Sequence, residues 1–158
     1  MLKIRLAACA LSVCMLGATP AIAGTCPSDW PAATADQIRA AMESPSFEGR
    51  GRNKKGKYTY RSFHKKIGPD TYAVSVVSIW GPKKSDKYPN NGTFVIEDGV
   101  VVMDWVIKDD WIDGASEAFT DGEGNWCFHS YDDQFGDDNV TGVFVEGDPF
   151  GLEPGLPR

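Results

Sequence analysis

Thr93-Phe94-Val95-Ile96-Glu97-Asp98-Gly99-Val100-Val101-Val102-Met103-Asp104-Trp105-Val106-Ile107 is the stretch that decides the fold class. Two runs rich in β-branched and aromatic residues flank an Asp-Gly pair. A two-residue Asp-Gly loop suits a type I′ turn, because both central positions need positive φ. The stretch therefore predicts an antiparallel hairpin. Upstream, residues 71–80 place Tyr72, Val74, Val76 and Trp80 on one face and Ala73, Val77 and Ile79 on the other. Apolar residues on both faces predict a central strand. Tyr58-Thr59-Tyr60-Arg61-Ser62-Phe63 also has a period of two. Downstream, residues 117–120 and 126–131 form the arms of a second expected hairpin around Asp121-Gly122-Glu123-Gly124-Asn125, and residues 140–146 form a last strand. Residues 46–57 read as a Gly- and Arg/Lys-rich loop, and residues 81–92 as a polar loop.

One helix is expected ahead of these strands. Thr34 and Gln37 have capping-box spacing, Ile38, Ala41 and Met42 share a face, and Pro45 ends the run. So short a helix needs a sheet to pack on. The expected fold is α+β: an N-terminal helix packed on a curled antiparallel sheet of about six strands. A small β-barrel with a flanking helix is the alternative. The domain spans residues 24–146, and residues 147–158, with three Pro and three Gly, are expected to form a flexible tail.

Residues 1–23 read as a secretory leader. Lys3 and Arg5 precede an uncharged apolar run, and Ala21-Ile22-Ala23 is an A-x-A cleavage signal, which puts the cut between Ala23 and Gly24. The apolar run is shorter than the ~20 residues a bilayer span needs, so no transmembrane span is expected. Localisation is then periplasmic or secreted. Cleavage removes Cys9 and Cys14 and leaves Cys26 and Cys127, a pair that an oxidising compartment favours as a disulfide.

Charge is unevenly spread. Residues 50–87 carry 11 cations and two anions, whereas residues 88–158 carry 16 anions and two cations. Such asymmetry bears on partners, not on fold. Arg50, Arg52, Lys54, Lys55 and Lys57 form a candidate anion-binding loop able to touch an envelope surface. Asp132, Asp133, Asp137 and Asp138 form a candidate acidic face. An exported, acidic chain argues against a nucleic-acid role.

Catalytic motifs are scarce. Histidine is the usual acid–base group at neutral pH, and the chain has two, His64 and His129. Neither stands near a recognisable nucleophile, so no catalytic residue is assigned. The acidic loops depart from Ca²⁺-loop spacing, and no metal or cofactor is expected. Asn91-Gly92-Thr93 and Asn139-Val140-Thr141 match the glycosylation pattern. The leading expectation is an exported non-enzymatic binding protein, an inhibitor or immunity factor acting on a basic partner in the cell envelope. The rival is a small-ligand pocket protein or enzyme with its site inside the sheet. There Tyr58, Tyr60, Tyr72, Trp80, Trp105 and Trp126 would line the hollow, with His64, Asp104 and His129 as polar groups.

Overall fold

The computed structural model describes residues 26–81, 86–107, 114–132 and 136–156, with backbone only at 131 and 132. It contains one helix, α1 (Ala35–Ala41), and eight strands: β1 (Ser46–Asn53), β2 (Gly56–Lys66), β3 (Thr71–Trp80), β4 (Asp86–Glu97), β5 (Val100–Trp105), β6 (Gly114–Thr120), β7 (Asn125–Asp132) and β8 (Gly136–Val145). Each strand pairs antiparallel with the next. β8 returns to pair with β1, from Ser46↔Val145 to Arg52↔Asn139, and closes a barrel. The expected six-stranded curled sheet is thus corrected to the barrel alternative. Closure satisfies the backbone groups that two free sheet edges would leave unpaired.

Two strand segments account for the difference. β1 reads as loop from the sequence because, after Phe47, its inward positions are Gly49, Gly51 and Asn53 rather than apolar side chains. The first half of β4 was hidden in the same way by Asn90 and Gly92 at inward positions. These glycines permit close approach. A Cβ at Gly142 would lie 2.1 Å from the Glu48 carbonyl oxygen of the neighbouring strand, and one at Gly51 would lie 2.1 Å from Cζ of Tyr58. Glycine therefore lets the wall bend inward and lets an aromatic ring lie flat on it.

The Asp98-Gly99 hairpin forms as its sequence dictates, with φ of 48° and 87°. It joins β4 to β5 in the register Glu97↔Val100. α1 also starts where its capping residues require. Gln37 N–H donates to Thr34 Oγ1 at 3.3 Å, and Thr34 N–H donates to Gln37 Oε1 at 2.9 Å. Arg39 ties the helix to the β2–β3 turn through Asp70 at 2.6 Å.

Strand direction sorts the connections into two ends. The β2–β3, β4–β5 and β6–β7 turns lie at the end covered by α1. Ile38 inserts there with no exposed surface, against a core that includes Met42, Tyr72, Val74, Ile96, Val101 and Trp126. The β1–β2 turn and the matching ends of β3 to β8 lie at the other end, here called the mouth. Outside the barrel, Cys26 is joined to the fully buried Cys127 of β7 with an S–S distance of 2.08 Å. The segment after Gly147 lies along the wall. Asp148 caps a turn through the Leu152 and Glu153 amides, a 3₁₀ turn follows at Glu153–Gly155, and Asn91 Nδ2 donates to the Gly155 carbonyl at 3.2 Å. Phe150 lies under the Arg61 guanidinium, 4.9 Å from it.

Candidate functional site: a cavity inside the barrel

Alternation along each strand sends every second side chain inward, and in this barrel those side chains do not fill the interior. A cavity of about 320 Å³ remains. Eight strands enclose a space that either fills with side chains or holds one small ligand. All eight strands contribute lining residues, and Met42, just after α1, contributes from the closed end.

The closed end is aromatic. Phe47 packs edge-on against Phe128 and Phe144, with centroids 5.4 and 5.2 Å apart, and Trp126 packs edge-on against Phe144. His64 also lines the cavity and is 2% exposed. Burial pushes its pKa down to about 4, against an opposing pull from backbone hydrogen bonds at Ser44 and Met42. The ring is therefore neutral at physiological pH. Its Nε2 has no hydrogen-bond partner among the described residues.

The middle of the wall carries hydroxyls. Ser62, Ser78, Ser116 and Ser130 are buried at inward positions on β2, β3, β6 and β7, interleaved with Phe94, Met103 and Trp105. Tyr60 is hydrogen-bonded to Ser62, and burial pushes its phenol upward.

The mouth end is organised around Asp138. This residue occupies an inward position on β8. Tyr58 of β2 lies across the bare backbone of Gly51, and its hydroxyl donates to Asp138 Oδ1 at 2.6 Å. The other face of Tyr58 meets Trp80, with centroids 4.5 Å apart and planes 25° apart. Burial raises the Asp138 pKa, while hydrogen bonds from Tyr58 and Asn53 and the nearby His129 pull it back. The Tyr58 phenol is pushed well up, first by burial and then by the carboxylate. Among the described residues, exposed Tyr88 and Lys55 also line this end.

No family model, curated protein or solved structure matches this chain.

The residues singled out from sequence divide between the two faces. Of the aromatics expected to line a hollow, Tyr58, Tyr60, Trp80 and Trp105 do so, while Tyr72 and Trp126 pack in the core beside it. His64 faces the cavity. His129 lies on the outer wall, bonded through Nδ1 to Asn139 Oδ1 at 2.8 Å and 3.9 Å from Asp137. Asp104 is exposed on the outer face, because the inward residues of β5 are Val101, Met103 and Trp105. The three polar groups grouped for the pocket are therefore not brought together.

The acidic group is also split. Asp137 is exposed outside and Asp138 turns inward, while Asp133 and the side chain of Asp132 lie outside the described residues. In the basic group, Arg50, Arg52, Lys54 and Lys57 are exposed along β1, its turn and the start of β2, and Lys55 alone reaches the cavity. Ala23 and Gly24 lie outside the described residues. Of the two glycosylation-pattern asparagines, Asn139 is 4% exposed and holds His129. Among the described residues no cluster of three His, Cys, Asp or Glu could hold a metal, and no helix is long and apolar enough to cross a membrane.

Sequence reasoning missed Asn53, Ser62, Ser78, Ser116 and Phe144 as cavity residues. Ser62 and Ser78 alternate with Tyr58, Tyr60 and Trp80 in strands the sequence already shows, and Phe144 lies in the expected last strand, whereas Asn53 becomes visible only once β1 counts as a strand.

Proposed function

We propose that this protein is an exported binding protein that holds one small, largely apolar or aromatic molecule inside its barrel. One observation carries the reading: an aromatic-walled cavity of about 320 Å³, lined from every strand and stopped at one end by α1. Known small-molecule sites are concave, mostly apolar and furnished with a few fixed polar groups. Binding fits the wall better than turnover does. Four of its polar groups are engaged in pairs, Tyr58 with Asp138 and Tyr60 with Ser62. The disulfide supports export, because such bonds persist in oxidising compartments. The acidic-face reading has less support, because Asp137 and Asp138 point to opposite sides of the wall.

The test is titration with N-phenyl-1-naphthylamine, a neutral dye whose emission rises in apolar surroundings. Saturable one-to-one binding is expected, with Kd of about 0.2 mM or tighter, since about 0.3 kcal/mol or more per heavy atom gives at least about 5 kcal/mol for this dye. Trp80 and Trp105, which line the cavity, should transfer excitation to the dye. Ser116→Trp, which places an indole in the space, should sharply weaken the signal while leaving the far-ultraviolet circular dichroism of the barrel. Absence of saturable binding to the wild type would overturn the proposal, as would equal binding to the filled, folded variant.

A further inference from the structure

The mouth combines a carboxylate with aromatic faces, and that pairing has a specific chemistry. Asp138 is held from one side by the Tyr58 hydroxyl at 2.6 Å and by Asn53. A carboxylate offers about four acceptor positions, so these two donors leave room for another. The surrounding wall is Tyr58 stacked on Trp80, with Tyr60 deeper and Tyr88 at the rim. Aromatic faces are electron-rich and attract cations, most strongly where water is excluded. An ordinary apolar ligand would need neither the carboxylate nor its supporting bonds, and burying a carboxylate there carries a cost.

We infer that the mouth recognises the protonated amino group of an organic amine, with Asp138 as its counter-ion, held in place by Tyr58, and with Trp80 and Tyr60 as its aromatic walls. This rests on the cavity being the binding site. The amine's apolar body would extend past the serines towards Phe128 and Phe144. The elevated pKa of Asp138 agrees with this arrangement, since burial penalises a charge that a bound cation would compensate. Lys55 lines the same end and opposes a cation. It is exposed, so solvent and salt screen it, whereas Asp138 is partly withdrawn from water.

The test compares two probes of nearly equal size at pH 7: 2-naphthylmethylamine, which is cationic, and 2-naphthylmethanol, which is neutral. Isothermal titration of the full protein should show the amine binding about tenfold tighter than the alcohol, the scale expected for a charge-assisted hydrogen bond with aromatic support. In Asp138→Asn that ratio should fall to about twofold or less. If the wild type binds the alcohol as tightly as the amine, the inference fails and the cavity reading stands. If it binds neither, the cavity reading fails and takes the inference with it. A preference that survives in folded Asp138→Asn would assign the cation to another group and also overturn the inference.

Discussion

Gly51→Ala adds a single methyl group, and the structure says it should be costly. The new Cβ would lie 2.1, 2.4 and 2.5 Å from Cζ, Cε2 and Cε1 of Tyr58. Real carbon atoms do not approach so closely, so the ring must leave the β1 backbone. Leaving breaks the Tyr58–Asp138 hydrogen bond, worth about 1.5–3 kcal/mol when one partner is charged. It also disrupts the Trp80 stack, worth about 0.5–1.5 kcal/mol. The expected loss is about 2–4 kcal/mol, since the two effects overlap. Urea unfolding measures it. The whole effect runs through Tyr58, so a double-mutant cycle separates it from any intrinsic cost of alanine. In a Tyr58→Ala background, Gly51→Ala should cost under about 0.5 kcal/mol, the range of an unobstructed substitution. An equal cost in both backgrounds, or none in the wild type, would refute the account.

His64 predicts a pH dependence of known sign. Its folded pKa of about 4 lies below the ordinary 6.5, so between those values the unfolded chain binds a proton that the folded chain does not. Stability is therefore lost as pH falls through this window, at about 1.4 kcal/mol per unit and about 3 kcal/mol in all. The stability of the wild type relative to His64→Phe should drop by that amount between pH 6.5 and 4. Asp138 has the opposite sign but is common to both proteins, so a flat difference would show that His64 titrates normally. Reducing Cys26–Cys127 should lower the urea-derived stability by about 2–5 kcal/mol, given a sequence separation of 101 residues. A loss below about 0.5 kcal/mol would mean that the crosslink constrains little.

What could be read from the chain depended on where side chains announce the alternation. Asp98-Gly99 with its β-branched flanks specified both turn and register, because turn chemistry and strand pattern agree there. α1 was equally plain from Thr34 and Gln37. β1 was not. Its sequence Ser-Phe-Glu-Gly-Arg-Gly-Arg-Asn has glycine where an inward apolar residue would mark a strand, so its outward charges dominate. Missing β1 removed the partner that β8 needs, and with it the closure. The same blindness misplaced Asp104. Grouping Asp104 with the pocket's polar residues took it for an inward position, but the inner face of β5 is Val101, Met103 and Trp105. A one-residue shift of reading exchanges the two sides of a strand. Asp138 was noticed only for its charge. Its role at the mouth depends on Tyr58 crossing the bare backbone of Gly51, a contact between three strands that no local pattern encodes.

The external position of the disulfide also bears on how the chain finds its fold. Seven of the eight strand pairings join sequence neighbours and form as hairpins. The pairing of β1 with β8 must bring together residues 46 and 145, which are 99 positions apart. With Cys26 already joined to Cys127, the path between those residues shortens to the stretches 26–46 and 127–145, 38 residues in all. Loop-closure entropy grows as three-halves of RT times the logarithm of length, so the crosslink lowers the cost of this last step by about 0.8 kcal/mol. That is roughly a fourfold gain in the population of chains poised to close. A bond placed on the outer wall thus acts as a pre-set hinge for the final seam and takes no space from the interior.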